Sequence, residues 1–146
     1  MSNNNKTKIY LASPFFNDKE ISYMEQVRDI LRDKGLDVFV PMEHQNPQFE
    51  FGSMDWRKAT FKGDVDGIEN CDVLVVILDG NYMDSGSAYE VGMAYQMSKK
   101  IVVVNPEGKS VNLMIAQSLH AIVDIEGLKA YDFDKMEVIP YTEYVW

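Results

Sequence analysis

The residues best suited to chemistry are carboxylates in the middle of the chain. Residues 63–98 contain none of the 14 Lys and Arg residues, so this stretch carries most of the formal net charge of −9. Its acids are Asp64, Asp66, Glu69, Asp72, Asp79, Asp84 and Glu90. A run of like charge is typical of a solvated face. Alternatively, some of these acids converge on a site, where repulsion and desolvation raise their pKa values for acid–base or nucleophilic work.

Other kinds of site have little support in the sequence. There is no G-x-G-x-x-G or G-x-x-x-x-G-K-[ST] pattern for a dinucleotide or triphosphate, and no G-x-S-x-G for a serine nucleophile. His44 and His120 lack H-x-x-x-H spacing and are expected to be surface or core residues. Cys71 precedes an apolar strand and is expected to be a packed residue. No metal ion or cofactor is therefore predicted, and any chemistry falls to the carboxylates.

Composition narrows the partners and the setting. The 146 residues are 46% hydrophobic and 25% charged, which is typical of one globular domain. An acidic balance argues against nucleic-acid binding, because that requires a cationic surface. The longest apolar run, VLVVIL, is far shorter than a membrane span. A single cysteine and the absence of a signal-peptide pattern suit a reducing cytoplasm, where we expect the protein to reside.

Apolar spacing predicts strands that alternate with helices. Strands are expected at 8–12, 37–40, 73–78, 101–104 and 121–125, and helices at 18–34, 54–70, 88–98 and 112–120. Asn17 and Ser53 are expected to cap the first two helices. Ser87 and Glu90 match an S-x-x-E capping box at the start of the third helix. Trp56 and Phe61 are expected to be core residues, and the tail 128–146 is expected to be irregular.

This alternation predicts a single α/β domain, 1–146, built on a parallel sheet of about five strands. Ligands bind such sheets at the carboxyl ends of the strands, near a reversal in strand order. Asp79, Asp84 and Glu90 belong at that edge. Asp64 and Asp66 reach it only if the second helix passes over the site. Spacing alone does not decide whether Glu90 caps a helix or points into the ligand crevice.

The chain resembles the nucleoside 2-deoxyribosyltransferases in ordered blocks along nearly its whole length. The blocks are KIYLASPFF, VPMEHQ, WRKATFKGDVDGIENCD, DSGSAYEVGMAY and VNLM, followed by an aromatic residue at the end of the sequence. The resemblance implies a flavodoxin-like three-layer sandwich. It also implies that a 2′-deoxyribosyl group moves between nucleobases with retention of configuration, as part of nucleoside salvage. The implied partners are 2′-deoxyribonucleosides and free nucleobases.

The resemblance also implies roles for individual residues. The family's nucleophilic glutamate falls on Glu90 and the tyrosine that holds it on Tyr10. The family's two acids fall on Asp64 and Asp84, and either of them could protonate the base. The substrate-binding positions fall on Phe16, Gln45, Trp56, Asn112, Met114 and Trp146. In the family, the Asn112 and Met114 positions act across a subunit interface, so a homo-oligomer is implied, dimer-based or hexameric, in which a neighbouring subunit completes each site.

Two other functions remain open on the same fold. A 2′-deoxynucleoside 5′-monophosphate N-glycosidase uses a similar glutamate, but its relatives carry a first loop rich in Gly and Arg, where this chain has SPFFND. A nucleoside-binding module without activity is the other. Trp146 stands where other members carry Tyr, which leaves the base preference open. The absence of cations in residues 63–98 favours nucleosides over nucleotides.

Overall fold

Strands and helices alternate along the chain in a computed structural model, which describes residues 6–146. In chain order the elements are β1 (Lys8–Ala12), α1 (Asp18–Asp33), β2 (Asp37–Phe39), α2 (Met54–Asn70), β3 (Val73–Ile77), α3 (Ser85–Gln96), β4 (Lys100–Val104), α4 (Leu113–Ser118), β5 (Ala121–Val123) and α5 (Ile125–Ala130). A 3-10 turn, Pro41–Glu43, follows β2.

The five strands form one parallel sheet in the order β2-β1-β3-β4-β5. This is the flavodoxin-like order, in which the direction of winding reverses between β1 and β3. The predicted α/β fold with a five-stranded parallel sheet is confirmed. The reversal marks the part of the sheet edge where a ligand crevice is expected.

Alternation of side chains along the strands produces two apolar cores. Leu11 and Val75 belong to the core under α1 and α5, whereas Leu74 and Val76 belong to the core under α2, α3 and α4. All five residues of β3 are buried. An apolar strand is expected where helices cover both faces of a sheet. The result is the predicted three-layer arrangement.

The start of α3 differs from the prediction. This helix begins at Ser85, and its N-cap is Asp84 rather than Ser87. The backbone N–H of Ser87 donates to Asp84 Oδ2 at 3.1 Å. The S-x-x-E pattern is therefore not a capping box here, and Glu90, which lies beyond the first turn of α3, has no capping role. The predicted caps of α1 and α2, Asn17 and Ser53, are confirmed.

Two further predictions were wrong in part or in full. The first three residues of the tail, 128–130, belong to α5, whose Leu128 is fully buried and whose cap is Asp124, whereas residues 131–146 contain no helix or strand element, as predicted. Phe61 is 59% exposed and is not a core residue. Within residues 6–146, no helix is both long enough and apolar enough to cross a membrane.

Candidate active site

Tyr10 and Glu90 meet near the point where the strand order reverses. Tyr10 lies in the middle of β1, fully buried, on the face covered by α2 and α3. Glu90 lies in α3, the helix that follows the neighbouring strand β3. The Tyr10 hydroxyl donates a hydrogen bond to Glu90 Oε2. Two residues that are far apart in sequence are thus in direct contact.

The electrostatics of this pair favour proton exchange near neutral pH. Burial raises the pKa of the Glu90 carboxyl to about 7, and the negative charges of Asp64 and Asp84 add to this rise. The hydrogen bond from Tyr10 opposes it. Burial also raises the pKa of Asp64 to about 6, against a lowering effect of His44. Burial and the nearby carboxylates raise the pKa of Tyr10, so its hydroxyl keeps the proton that it donates.

Asp64 reaches the site because α2 passes over it. This helix packs on the same core as Tyr10 through Ile68, and the charge of Asp64 acts on both Tyr10 and Glu90. Asp66, from the same helix, instead forms a surface ion pair, in which Asp66 Oδ2 lies 2.5 Å from Lys62 Nζ. Of the two α2 acids considered from the sequence, only Asp64 joins the carboxylates at Tyr10.

Asp84 stands beside the same group but is already engaged. Its carboxylate caps α3 through the backbone N–H of Ser87. A side chain that caps a helix accepts a backbone N–H that has no partner within the helix. Asp84 therefore influences Glu90 through its charge while it fixes the start of the helix that carries Glu90.

The expected base-side residues lie in the loops after β1 and β2 and at the start of α2. The indole Nε1 of Trp56 donates to the backbone oxygen of Gln45 at 2.8 Å, and Gln45 Nε2 donates to the backbone oxygen of Met42 at 2.8 Å. Phe51 packs on Trp56, with ring centroids 4.5 Å apart. Phe16 is 79% exposed on the loop after β1. A hydrogen bond therefore links Trp56 to Gln45, and the Phe16 side chain is accessible to a ligand from solvent.

Asn112, Met114 and Trp146 form a second group around α4. Asn112 caps this helix by accepting the backbone N–H of Met114 at 2.9 Å. The Trp146 backbone oxygen accepts the N–H of Leu113 at 2.9 Å. The Trp146 ring packs edge-on against the Tyr82 ring, with ring centroids 4.9 Å apart. Met114 is 72% exposed. Among the hydrogen bonds of residues 6–146, none joins this group to Glu90.

A cation that the sequence did not reveal lies at the same edge of the sheet. Lys19, at the start of α1, lies 3.2 Å from Asp79 Oδ1 and 2.5 Å from Glu107 Oε1. The Asp79 side chain is only 8% exposed, so Lys19 balances a largely buried charge. Residues 63–98 contain no Lys or Arg, but the fold brings Lys19 into contact with one of their acids, Asp79. No local pattern links Lys19 to Asp79, because the fold alone brings α1 to the end of β3.

The acids of residues 63–98 therefore fall into two groups: some converge on a site, and others lie on the surface. The charges of Asp64 and Asp84 both act on Glu90. Asp72 is on the surface and accepts the backbone N–H of Lys8 at 2.8 Å. Cys71 is buried, donates to the Ile68 backbone oxygen, and has a pKa that burial raises to about 11, as suits a packed residue. Residues 6–146 contain no cluster of three His, Cys, Asp or Glu side chains arranged to hold a metal ion.

Comparison with known proteins places this chain in a family. The family model for nucleoside 2-deoxyribosyltransferase matches residues 9–135, which is most of the chain. The chain belongs to the nucleoside 2-deoxyribosyltransferase family. Members of this family are pentosyltransferases, and the chain is an enzyme of that class. The resemblance inferred from the sequence blocks is confirmed.

Relatives within the family match the chain over nearly its full length. The nucleoside deoxyribosyltransferase of Limosilactobacillus fermentum is 28% identical over 94% of this chain and 93% of that protein. The nucleoside deoxyribosyltransferase of Lactobacillus leichmannii is 25% identical over 89% of this chain and 92% of that protein. The solved 2-deoxyribosyltransferase of Bacillus psychrosaccharolyticus is 42% identical, with a TM-score of 0.90 over 93% of this chain and 100% of that one. A CMP N-glycosidase of Clostridium botulinum, 23% identical, has a TM-score of 0.63 over 86% of this chain and 100% of that one, which is a likeness of fold alone.

Proposed function

We propose that this nucleoside 2-deoxyribosyltransferase family member exchanges the nucleobase of 2′-deoxyribonucleosides through a covalent deoxyribosyl ester of Glu90, as a step of nucleoside salvage. The observation that carries the proposal is the contact of Tyr10 with Glu90 beside the carboxyl of Asp64. A buried carboxylate held by a tyrosine, next to a carboxyl with a raised pKa, supplies both a nucleophile and a proton donor.

In the first half-reaction, Glu90 attacks C1′ of the donor nucleoside from the face opposite the base. The bond between C1′ and the base nitrogen breaks, its electron pair leaves with the base, and a proton from Asp64 neutralises that pair. A new bond joins C1′ to a Glu90 carboxyl oxygen. The free base departs, and the deoxyribosyl ester remains.

In the second half-reaction, a nitrogen lone pair of the incoming base attacks C1′. The bond from C1′ to the Glu90 oxygen breaks, and its electron pair restores the carboxylate. The proton that the incoming base loses goes to the Asp64 carboxylate, which regains its starting form. Two inversions at C1′ give net retention and ping-pong kinetics.

Asp64 rather than Asp84 is proposed as the proton donor. The pKa of Asp64, raised to about 6 by burial, keeps a useful fraction of this carboxyl protonated near neutral pH. Asp84 accepts the backbone N–H of Ser87 at the start of α3, so its carboxylate is engaged in capping that helix. Its proposed contribution is to hold the start of the helix that carries Glu90.

The substrate contacts are proposed to come from two chains. Phe16, Gln45 and Trp56 would line the base on the chain that supplies Glu90. Asn112, Met114 and Trp146 would approach the deoxyribose of a neighbouring subunit. Support comes from the exposure of Leu113, Met114 and Trp146, since exposed apolar residues that cluster on a surface mark interaction sites. The assembly would be a dimer-based homo-oligomer, extending to a hexamer.

The experiment compares two reactions of the same protein. Incubation with 2′-deoxyinosine and adenine should give 2′-deoxyadenosine and hypoxanthine, whereas 2′-deoxyinosine 5′-monophosphate should release no base. The protein is also incubated with 2′-deoxyinosine alone and the reaction is quenched. Mass spectrometry of this protein should show one added deoxyribosyl group. Glu90→Ala should abolish both signals, while Glu69→Ala, an exposed acid on α2, should keep them.

Three outcomes would contradict the proposal. Release of base from the monophosphate without exchange would favour the N-glycosidase. Absence of turnover, with ligand affinity unchanged in Glu90→Ala, would favour a binding module. Near wild-type exchange in Glu90→Ala would remove Glu90 from the mechanism.

A further inference from the structure

The ring of Tyr10 packs against both α2 and a second aromatic ring. It stacks on Phe39, with centroids 5.4 Å apart and planes inclined by 16°. Phe39 in turn stacks on His44, with centroids 4.4 Å apart. Tyr10 is fully buried in this arrangement. The ring therefore has little room to move, and its hydroxyl is the group that meets Glu90.

Gly67 of α2 provides the space that the Tyr10 ring occupies. A Cβ atom at position 67 would lie 3.0 Å from Tyr10 Cδ2, 3.1 Å from Tyr10 Cε2 and 3.2 Å from Phe39 Cδ1. These distances are shorter than ordinary carbon–carbon contacts of about 3.5–4.0 Å. Any side chain at position 67 would have to push both rings by a few tenths of an ångström.

The backbone does not require glycine at this position. Gly67 lies inside α2, and its φ is not among the positive values of the chain. Glycine weakens a helix interior relative to alanine, so its presence calls for a packing reason. Gly63 lies one turn earlier on the same helix, and a Cβ there would meet nothing within 4 Å. The close approach to an aromatic ring is thus particular to Gly67.

We propose that Gly67 is a positioning residue for base exchange, because its missing side chain lets the Tyr10 ring lie where its hydroxyl reaches Glu90. The inference rests on the proposed role of Glu90 as nucleophile. Gly67 acts through Tyr10, whose ring it borders, and Phe39 backs that ring so that it cannot shift freely. The Tyr10 hydrogen bond favours the ionised form of Glu90. A displaced ring would therefore leave less Glu90 carboxylate at neutral pH.

The first test is a kinetic comparison of Gly67→Ala with Gly63→Ala. Gly67→Ala should lower kcat about tenfold with little change in KM, since misplacing a catalytic contact by a fraction of an ångström slows chemistry more than binding. It should also lower the maximum of the pH profile and move its alkaline limb to higher pH, because the higher pKa of the pair belongs mainly to Glu90. Gly63→Ala should leave the kinetics and the pH profile unchanged, although it changes the same residue type in the same helix.

A double-mutant cycle separates positioning from general damage. In a Tyr10→Phe background there is no hydroxyl to misplace, so Gly67→Ala should cause less than about a twofold further loss. A full, multiplicative loss would overturn the inference, because Gly67 would then act through another group such as Asp64. Phe39→Leu removes the ring that stacks on Tyr10 and that a Cβ at position 67 would also meet, so adding it to Gly67→Ala should recover part of the lost kcat.

An activity-independent measurement keeps this inference distinct from the proposed function. Infrared titration of protein containing ¹³C-labelled glutamate, with Glu90→Gln subtracted, follows the ionisation of the Glu90 carboxyl alone. Glu90 should titrate at higher pH in Gly67→Ala and at an unchanged pH in Gly63→Ala. An unchanged titration in Gly67→Ala overturns the positioning role. If the wild-type protein does not exchange bases, but the Glu90 titration still shifts in Gly67→Ala, the proposed function is overturned and the positioning of Tyr10 by Gly67 is retained.

Discussion

Glu90 lies in surroundings that oppose the ionised form its proposed role requires. Its pKa rises from 4.5 to about 7, chiefly through burial. A carboxyl whose folded pKa is raised favours the folded state below its unfolded pKa, and that advantage is lost as the pH rises through about 7. For this shift the loss is roughly 3 kcal/mol at most.

Glu90→Gln should therefore stabilise the protein in a pH-dependent way. Above about pH 8 the free energy of unfolding should rise by roughly 1–3 kcal/mol, because a neutral amide replaces a buried charge. The gain should disappear by about pH 4, where both forms are neutral. Urea denaturation at the two pH values measures the difference. The exposed Glu69→Gln should show no such dependence, and a destabilised Glu90→Gln at high pH would contradict the burial of this charge.

Exchange activity should depend on pH through two carboxyls at once. Glu90, with a pKa of about 7, must be ionised, and Asp64, with a pKa of about 6, must be protonated. Between these values the pair shares about one proton, so kcat/KM should follow a bell-shaped curve with its maximum between the two. Asp64→Asn should lower exchange by about 100- to 10,000-fold and remove the decline at high pH.

The same variant carries an internal check on the proton donor. In Asp64→Asn the remaining limb should report Glu90 alone, at a pKa below about 7, because the variant removes a negative charge near Glu90. If Asp84→Asn removes the decline at high pH and Asp64→Asn does not, Asp84 is the donor. Rates measured across the pH range for both variants decide between them.

Elements set the position of each carboxyl, and α3 depends on Asp84 for its start. Asp84→Ala should lower the free energy of unfolding by about 1 kcal/mol, since the Ser87 N–H loses its partner. Asp84→Asn should keep most of that stability, because Asn is an equally good cap. Both variants should lower the pKa of Glu90 by removing a negative charge.

Loss of the cap on a different helix is the matched control. Asn17 caps α1 by accepting the N–H of Glu20 at 2.9 Å, and neither residue is among the charges that act on Glu90. Asn17→Ala should cost a similar free energy of unfolding without moving the pH profile of exchange. A shifted profile in Asn17→Ala would mean that global destabilisation, rather than the charge of Asp84, sets the titration of Glu90.

Most elements were predictable because their signals are local. The buried run of β3 and the caps Asn17 and Ser53 are read from a few neighbouring residues. The start of α3 was missed because Asp84 and Ser87 are both good caps, and only the packed helix decides between them. The helix α5 was missed because it is short and contains Gly127.

The site was predictable only in part, for reasons of scale. The sequence blocks pointed to Tyr10 and Glu90, which the fold brings into contact. The ion pair of Lys19 with Asp79 and the approach of Gly67 to Tyr10 join separate elements across the sheet. Such contacts leave no periodicity or spacing in a single sequence, so they become visible only in the assembled molecule.

At the scale of the whole molecule, we propose that the site is divided between two chains. Asn112 caps α4 and Met114 projects from it largely exposed, while no hydrogen bond of residues 6–146 links either to Glu90. If a neighbouring subunit supplies these residues, a defect in one part of the site can be rescued by a different defect in the partner. Isologous dimers provide this exchange, because each chain gives the same surface to the other.

Mixed oligomers of Glu90→Ala and Asn112→Ser should therefore recover activity that neither variant has alone. Serine keeps the cap on α4, so the second variant loses the amide rather than the helix start. Each mixed dimer has one intact site of two, so protein purified through both tags should show about half of wild-type exchange, and an unfractionated equal mixture about a quarter. Co-expression with two tags and assay of the doubly purified protein measures it. If each chain holds a complete site, both variants remain inactive after mixing, because no chain then has Glu90 and Asn112 together.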